Sequence, residues 1–391
     1  MFSVYIHVPF CARRCYYCDF ITYAGQLNLL PTYTDAAQKE IRLLGQVASG
    51  AVLPTETVYF GGGTPSLMEP TMVETLLGEI EGAFGLTKHA EISLEANPGT
   101  LSPQRLRDFH TAGVTRLSLG VQSFSDAELA LLGRIHTRQE AEKCIAWARA
   151  AGFDNLNLDL IFGLPGQTLE AWRQTLQRAV QFRPEHLSVY SLIVEEGTLL
   201  HQQISNRKLP EPDDDLAGDM YDLARDLLSG AGYKQYEISN WAVADEFESR
   251  HNKAYWKTTP YLGIGAAAHS FANAYRTENV PGILDYCERI QEWGQSREFP
   301  FSAANQQRSL LDQRTRMQEF MLLGLRLTYE GVSLSEFSGR FAQDALQVFA
   351  VEIKRLEQKG LVEFSEFPDG RHLRLTQRGV ILGNQAFMEF V

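Results

Sequence analysis

Three cysteines near the start of the chain are the residues whose type and spacing point most directly to chemistry. Cys11, Cys15 and Cys18 follow one another at the spacing CxxxCxxC. Thiolate sulfur is a soft ligand that suits zinc and iron-sulfur centres. A four-iron, four-sulfur cluster normally takes four cysteine ligands. A loop that supplies only three thiolates therefore leaves one iron open to a ligand from outside the chain.

A structural zinc site is the alternative for these cysteines, and it needs a fourth protein ligand, either another cysteine or a histidine. The remaining cysteines, Cys144 and Cys287, have no second CxxC pair around them. The nearest histidine, His7, precedes the three cysteines inside a predicted strand. The pattern therefore favours an iron-sulfur cluster over a zinc-binding module.

The cysteines follow a β-branched and aromatic run at 4–8, which predicts a short strand. Five further strands are predicted, at 57–60, 91–96, 116–121, 156–162 and 186–192. Helical patterns separate them, at 33–47, 69–84, 103–112, 138–151 and 169–182, and the first helix is predicted to end at a breaker-rich stretch, 49–54. This alternation indicates the α/β class, with parallel strands joined by right-handed crossovers.

Polar and glycine motifs coincide with the ends of these predicted strands, where the functional groups of a parallel barrel gather. The glycines 61–63 follow the second strand, Glu95 ends the third, Gln122 ends the fourth, and Asp159 belongs to the fifth. Glycine lets a backbone approach a ligand closely, although a structural turn would also use it. Carboxylates at such positions need partners, which could equally be arginines of the barrel.

The rest of the chain differs in character. A well-capped helix is predicted at 213–228, and the aromatic and glycine-rich segment 233–271 predicts irregular structure packed beside the barrel. Helices at 314–327, 334–341 and 344–359 and a hairpin of 361–364 with 372–375 indicate a winged-helix-like domain. We predict a barrel at 1–195, an accessory segment at 196–305 and the C-terminal domain at 306–391.

Composition excludes several classes of protein. The 391 residues carry a net charge of −12, which argues against tight nucleic-acid binding. From Leu310 onward the chain has ten Lys and Arg and eleven Asp and Glu. This balance favours a protein-contact or substrate-covering role for the last domain over DNA binding. No run of eighteen apolar residues and no signal pattern occurs. Five cysteines, three of them clustered, suit a reducing compartment, so a cytoplasmic location is expected.

The cysteine motif, with an aromatic residue before the last cysteine, resembles that of the radical S-adenosylmethionine (SAM) superfamily. The wider string YIHVPFCxxxCxYCDF, from Tyr5 to Phe20, is similar to the branch that contains oxygen-independent coproporphyrinogen III oxidases and the HemW family of heme chaperones. This resemblance implies a partial (β/α)6 barrel with a lateral opening. It also implies a 4Fe-4S cluster on the three cysteines whose open iron binds SAM, and whose reduction cleaves SAM to methionine and a 5′-deoxyadenosyl radical.

The resemblance further implies which residues surround one or two SAM molecules. In the superfamily the glycine motif hydrogen-bonds the amino group of the SAM methionine, and the residue before the last cysteine contacts the adenine. Carried over to matching positions, the SAM-binding residues are Tyr5, Tyr17, Gly62, Gly63, Thr64, Glu95, Gln122, Arg134 and Asp159. No catalytic residue is assigned.

A second constellation, HNxxYW, consists of His251, Asn252, Tyr255 and Trp256. Imidazole is an axial ligand of heme iron, and tyrosine and tryptophan offer flat surfaces to a macrocycle. Taken alone, a histidine beside aromatic residues is more often structural. The motif is similar to one that marks the HemW family, which implies heme binding by these four residues. His269 is a further candidate that lines the active site.

Three departures separate the chain from the oxidases. Phe20 stands where they have a further cysteine, the first strand starts at about residue 3 without their N-terminal extension, and they lack HNxxYW. The resemblance therefore implies a heme chaperone that delivers heme to a respiratory haemoprotein at the membrane, with an electron donor if radical chemistry occurs, no nucleic-acid partner, and a possible homodimer. The alternatives are the oxidase, a heme-degrading radical SAM methyltransferase and a zinc-binding module.

Overall fold

The computed structural model describes residues 2–48, 54–294 and 298–391. All but the last residue of the predicted breaker-rich stretch at 49–54 lies outside the described residues. Within the described ranges the chain forms a twelve-stranded sheet with helices packed on it, and a C-terminal module with its own three-stranded sheet. No helix in these ranges is long and apolar enough to cross a membrane.

The strands alternate with helices through the first half of the chain. The strands are β1 (Ser3–Val8), β2 (Phe10–Cys11), β3 (Tyr23–Ala24), β4 (Thr55–Gly62), β5 (Leu86–Ala96), β6 (Arg116–Gln122), β7 (Leu156–Phe162), β8 (His186–Ser191), β9 (Lys234–Glu237), β10 (Asn240–Ala242), β11 (Tyr261–Ile264), β12 (His269–Ala272), β13 (Tyr275–Asn279), β14 (Asn305–Leu310), β15 (Val332–Ser333), β16 (Val362–Phe367) and β17 (Gly370–Leu375).

The helices of the first 300 residues are α1 (Leu30–Val47), α2 (Pro70–Phe84), α3 (Pro103–Thr111), α4 (Asp126–Leu131), α5 (Arg138–Ala150), α6 (Leu169–Gln181), α7 (Leu199–Ser205), α8 (Asp214–Gly230), α9 (Arg250–Trp256) and α10 (Ile283–Glu292). Those that follow are α11 (Gln313–Gly324), α12 (Leu334–Phe341), α13 (Ala345–Val348), α14 (Ala350–Gln358), α15 (Gln377–Ile381) and α16 (Gly383–Phe387). Short 3-10 turns lie at Leu27–Leu29, Pro65–Leu67, Pro98–Thr100, Asp245–Phe247 and Met388–Phe390.

The six predicted β/α units are confirmed. Strands β1, β4, β5, β6, β7 and β8 lie side by side in that order, and every neighbouring pair is parallel. Side-chain caps begin several of the intervening helices. Thr137 and Glu140 form a reciprocal capping box at the start of α5, which satisfies backbone donors that a helix start leaves unpaired. Local sequence therefore explains where α5 begins.

The prediction of irregular structure at 233–271 is wrong. This segment contains α9 and four strands, and β11 pairs in parallel with β1, with Tyr5 opposite Gly263. Its glycines serve close packing between backbones, since a Cβ on Gly263 would lie 2.0 Å from the carbonyl oxygen of His269. Without β11, one edge of β1 would present unpaired backbone groups. The first strand of the chain is therefore an interior strand of the sheet.

The C-terminal module matches the predicted winged-helix-like pattern, with two differences, an added strand and a broken helix. Helix α12 and the hairpin of β16 and β17 form as predicted, and β15 adds a third strand to the hairpin. The helix predicted at 344–359 is broken at Phe349 into α13 and α14. The Phe349 side chain is fully buried in a separate apolar core, where it packs edge-on against Phe337 and Phe390. The helix is thus interrupted at the residue whose ring is buried in this core.

A buried carboxylate joins α1 to the far end of the sheet. Glu40 accepts hydrogen bonds from the backbone N–H of Gly265 (3.0 Å), Asn279 Nδ2 (3.2 Å), the Tyr286 hydroxyl (2.7 Å) and Ser302 Oγ (2.5 Å). Its burial raises the pKa of the carboxyl group, and the four donors oppose that rise. Glu40 thus holds in place the turn that follows β11.

Replacing Glu40 with alanine leaves four buried donors without their acceptor. Because a buried unsatisfied group costs about 1–3 kcal/mol, we expect Glu40→Ala to lower the free energy of unfolding by at least about 3 kcal/mol. Asp35→Ala, which removes an exposed carboxylate from the same helix, is the matched control. Thermal unfolding followed by circular dichroism measures both, and equal melting temperatures would contradict the role given to Glu40.

Candidate functional site

The three motif cysteines lie on one loop at the carboxyl end of β1. Cys11 is buried in β2, and Cys15 and Cys18 are half-buried in the turn that follows. All three are free thiols, and burial raises the pKa of the Cys11 and Cys18 thiols. Arg134 Nη1 lies 3.3 Å from Cys15 Sγ, and Thr64 Oγ1 lies 3.6 Å from Cys11 Sγ. A positive charge and a hydroxyl donor thus face the thiols.

The loop is anchored to its surroundings through the backbone. The N–H of Tyr16 donates to the carbonyl of Leu132 at 3.0 Å, and Arg13 Nη2 donates to the carbonyl of Gly133 at 2.5 Å. On the other side, His7 Nε2 lies 3.2 Å from the carbonyl oxygen of Ile21. These contacts hold the cysteine loop against its neighbours on both sides.

The glycine motif passes directly against the cysteine loop. Gly62 has φ +109°, and a Cβ on Gly63 would lie 2.6 Å from the carbonyl oxygen of Phe10. The N–H of Gly63 donates to Val8 O (2.9 Å), and that of Thr64 donates to Phe10 O (2.8 Å). A side chain at Gly62 would collide with the His7 ring, and one at Gly63 would collide with the backbone at Val8 and Phe10.

Glu95 points into the same region from β5. Its carboxylate accepts hydrogen bonds from the Tyr59 hydroxyl (2.8 Å) and from the N–H of Gly62 (3.2 Å). Removal from solvent raises the pKa of Glu95 to about 7, against the effect of these two hydrogen bonds. A cationic ligand beside it would favour its ionised form.

Asp159 lies in the middle of β7 and is tied to side chains of neighbouring positions. Ser118 Oγ (3.1 Å) and Asn157 Nδ2 (2.7 Å) donate to its carboxylate. Burial nonetheless raises the pKa of Asp159. These partners and Tyr59 are polar residues on inward strand positions that the sequence analysis did not single out. Alternation along the strands could have indicated them, since every second side chain shares a face.

Gln122, Arg134 and Tyr17 complete the predicted set. Gln122 has φ +68°, uncommon for a residue other than glycine. Arg134 Nη2 donates to the carbonyl of Gly120 at 2.7 Å, while its buried Nε has no hydrogen-bond partner among the described residues. The Tyr17 ring packs against the apolar cluster that contains Leu132. Most of the predicted SAM-binding residues thus lie around the cysteine loop. Asp159 was predicted near a strand end but lies in the middle of β7, and Tyr5 lies within β1.

The residues present fit an iron-sulfur cluster with a bound ligand. The donor set is three thiols, the glycine segment packs closely against their loop, and Arg134 Nε is a buried donor without a partner among the described residues. Within the described ranges, no three His, Cys, Asp or Glu side chains converge closely enough to hold a single metal ion. A four-iron cluster uses a wider set, because each thiolate binds a different iron.

The HNxxYW motif occupies α9, near the opposite ends of the strands. His251 is 1% exposed, and both of its ring nitrogens are engaged, Nδ1 with Thr57 Oγ1 (2.7 Å) and Nε2 with the Tyr255 hydroxyl (2.9 Å). The ring also stacks on Tyr59 at 5.0 Å. Burial lowers the pKa of His251 to about 3. In this conformation the imidazole is neutral and offers no nitrogen to heme iron.

The other motif residues face different surroundings. Asn252 lies in the first turn of α9, and its N–H donates to Ser249 Oγ at 3.3 Å. The guanidinium of Arg326, from the C-terminal module, lies 4.4 Å from the Trp256 ring centroid. Tyr255 borders a cavity and packs edge-on against Tyr261 at 4.7 Å. The four predicted heme-binding residues are therefore not gathered around one point.

That cavity, of about 310 Å³, opens between the cysteine loop and the turn that follows β11. It is lined by Tyr5, His7, Asp19, Phe20, Ile21, Tyr255, Tyr261, Ala267 and His269. His269 was predicted to line the active site, whereas the contribution of Tyr261 was not foreseen. Tyr261 was missed because it reaches the cavity through the pairing of β1 with β11. These strands are distant in the chain, so no local sequence pattern indicates that they are neighbours.

Comparison with known proteins identifies the relatives of this chain. Residues 5–179 match the family model of the radical SAM superfamily, and residues 311–382 match the HemN C-terminal domain. The heme chaperone HemW of Bacillus subtilis (strain 168) is 36% identical over 392 residues, which cover all of this chain and 99% of the relative. The heme chaperone HemW of Escherichia coli (strain K12) is 41% identical over 268 residues, 68% of this chain and 69% of the relative.

A solved structure shares the fold. The coproporphyrinogen III oxidase HemN from Escherichia coli, a radical SAM enzyme, aligns with a TM-score of 0.83 over all of this chain and 89% of its own. The two sequences are 24% identical, so the likeness concerns the fold alone.

The raised pKa of Glu95 predicts a pH dependence of stability in the apoprotein. Between the unfolded value of about 4.3 and the folded value of about 7, the folded chain holds a proton that the unfolded chain has lost. Unfolding free energy therefore falls as pH rises through this window and levels off above it. We expect Glu95→Gln to make the fall shallower, as measured by denaturant unfolding from about pH 4 to about pH 8.

Glu237, whose pKa is also raised to about 7 by burial, contributes in the same direction, so the test is the difference between wild type and variant. Glu74→Gln, at an exposed position of α2, is the control and should keep the wild-type slope. Identical slopes for all three proteins would show that Glu95 is ionised in the folded apoprotein.

Proposed function

This chain belongs to the HemW family within the radical SAM superfamily, and from that premise we propose that it is a heme chaperone. It binds a 4Fe-4S cluster and SAM, binds heme, and transfers the heme to a respiratory haemoprotein at the membrane. The observation that carries the proposal is the full-length similarity, at 36% identity, to a protein named as a heme chaperone.

We propose that Cys11, Cys15 and Cys18 hold the cluster. Their support is the donor set itself, three thiols on one anchored loop, with Arg134 Nη1 3.3 Å from Cys15 Sγ. A guanidinium at that distance offsets the negative charge that the thiols acquire as ligands. Cys144 and Cys287 are buried in the packing of α5 and α10 and take no part.

SAM at the open iron supplies, when bound, the capacity for one-electron cleavage, for which an electron donor would be needed. The residues of this chain hold and orient it. The backbone around Gly62 and Gly63 permits close approach, and the carboxylates of Glu95 and Asp159 attract its cationic groups. The remaining members of the proposed SAM-binding set are Tyr5, Tyr17, Thr64, Gln122 and Arg134. Ionisation of Glu95 on binding would release a proton, because its pKa in the free protein is raised.

The oxidase is not favoured as the activity of this chain. Phe20 stands where the oxidase pattern has a further cysteine, and its side chain is 68% exposed beside the cavity. The likeness to the solved oxidase, at 24% identity, extends to the fold only. The proposed role is therefore binding and delivery of heme, with the cluster and SAM as part of the binding protein.

The ligand set of the cluster can be tested by substitution. We expect Cys11→Ala, Cys15→Ala and Cys18→Ala each to lose most of the iron and acid-labile sulfide after anaerobic reconstitution, because the chain offers no replacement thiolate on this loop. Cys144→Ala and Cys287→Ala should retain the wild-type content of both. Full retention in any of the first three variants would remove that cysteine from the set, and bound zinc without sulfide would indicate a zinc module.

The chaperone and oxidase activities can be separated in one reconstituted preparation. We expect stoichiometric binding of heme to the chain in an absorbance titration and transfer of that heme to a heme-free acceptor protein. In the presence of SAM and a reductant, coproporphyrinogen III should remain unconverted. SAM-dependent oxidative decarboxylation of the propionate side chains of coproporphyrinogen III would overturn the proposal and identify an oxidase.

A further inference from the structure

We propose that heme binds in the cavity between the cysteine loop and the turn after β11, with His269 as its axial ligand. This inference rests on the proposed heme chaperone function. It assigns the iron ligand to a residue outside HNxxYW, and it gives His251 a positioning role instead.

His269 is the histidine of this cavity that is open to a ligand. Its side chain is exposed, and its ring makes no hydrogen bond with any described residue. His7, which also lines the cavity, has both ring nitrogens engaged, with the Tyr5 hydroxyl (3.0 Å) and with Ile21 O (3.2 Å). His251 is buried and likewise has both nitrogens engaged. A neutral imidazole with an unoccupied nitrogen is what heme iron requires.

The turn that directly precedes His269, the first residue of β12, is held in place by buried contacts. Gly265 has φ +102°, and a Cβ there would lie 2.2 Å from the Tyr33 hydroxyl. The N–H of Gly265 donates to Glu40 Oε2 at 3.0 Å, and its carbonyl accepts from Asn279 Nδ2 at 2.9 Å. These contacts hold the turn before His269, and the pairing of His269 with Glu278 of β13 holds the residue itself. A ligand placed by a rigid turn loses little conformational freedom on binding.

The walls of the cavity suit a flat apolar molecule with polar edges. Tyr255 and Tyr261 form an edge-to-face pair on one side. On the cysteine loop, Phe20 is 68% exposed and Ile21 is 43% exposed, although both are large apolar side chains. The volume of about 310 Å³ lies at the lower end of the range of ligand pockets, about 300–1,000 Å³. A porphyrin would fill it and leave one edge in solvent, which suits a cargo that is handed on.

The HNxxYW motif acts on this cavity through Tyr255. His251 and Tyr255 are four positions apart on α9, and the His251 Nε2 to Tyr255 Oη distance of 2.9 Å fixes the tyrosine hydroxyl. The Tyr255 ring then forms part of the cavity wall. The motif can therefore influence heme binding without ligating the iron, and His251 is a positioning residue.

The experiment is an anaerobic heme titration of the reconstituted full chain, read from the Soret band and, for spin state and ligand type, by electron paramagnetic resonance. We expect His269→Ala to bind heme at least about tenfold more weakly, a loss typical of even outer-shell changes at metal sites. His269→Met should bind with a shifted spectrum, because thioether replaces imidazole. The control is His89→Ala, an exposed histidine of β5, which should behave as wild type. Iron and sulfide content must match in all variants.

His251→Gln separates positioning from ligation. We expect it to keep the spectrum of an imidazole-ligated heme, with a lower melting temperature and weaker binding. An unchanged spectrum and affinity in His269→Ala, or loss of the imidazole signature in His251→Gln alone, would overturn the assignment of His269. Failure of the wild-type protein to bind heme at all would instead overturn the proposed function, and with it this inference.

Discussion

The fold depends on hydrogen bonding along both edges of β1. This strand pairs in parallel with β4 on one side and with β11 on the other. A strand with unpaired backbone groups on one edge is open to solvent and to other chains. Because both partners run parallel to β1, the loops that follow all three strands emerge at the same end of the sheet. The cysteine loop, the glycine motif and the turn before His269 are neighbours for this reason.

A series of hydrogen-bonded polar groups inside the curved sheet leads from the middle of β7 to the start of α9. Asn157 donates to Asp159 (2.7 Å), and its amide oxygen lies 2.6 Å from His186 Nδ1. His186 Nε2 lies 2.8 Å from the Tyr236 hydroxyl, which accepts from the N–H of Ser249 (3.1 Å). Buried polar groups must be hydrogen-bonded, and this series meets that need while holding the start of α9. The polar side chains inside the barrel thus stabilise the fold, and Asp159 among them also belongs to the proposed SAM site.

The proposed heme cavity and the proposed SAM site share a boundary. Tyr5 belongs to both, since it lines the cavity and stacks on Tyr59, which donates to Glu95. The Tyr5 hydroxyl also lies 3.0 Å from His7 Nδ1, and His7 holds the cysteine loop at Ile21. The residues of the two proposed sites are therefore in direct contact with one another.

The cysteine loop, the six β/α units and the C-terminal hairpin were predictable from the sequence alone, because each depends on short-range periodicity or on a compact motif. The SAM-binding residues were named by resemblance to a family, and one of them, Asp159, lies in the middle of its strand rather than at the end. Only the tertiary structure decided that β11 completes the pairing of β1, that Ser118 and Asn157 satisfy Asp159, and that the cavity contains His269. The HNxxYW residues show why closeness in sequence does not by itself predict a shared site. They are close together in sequence, but a helix turns neighbouring side chains to different faces, and the packing of the whole chain determines which of those faces meets the cavity.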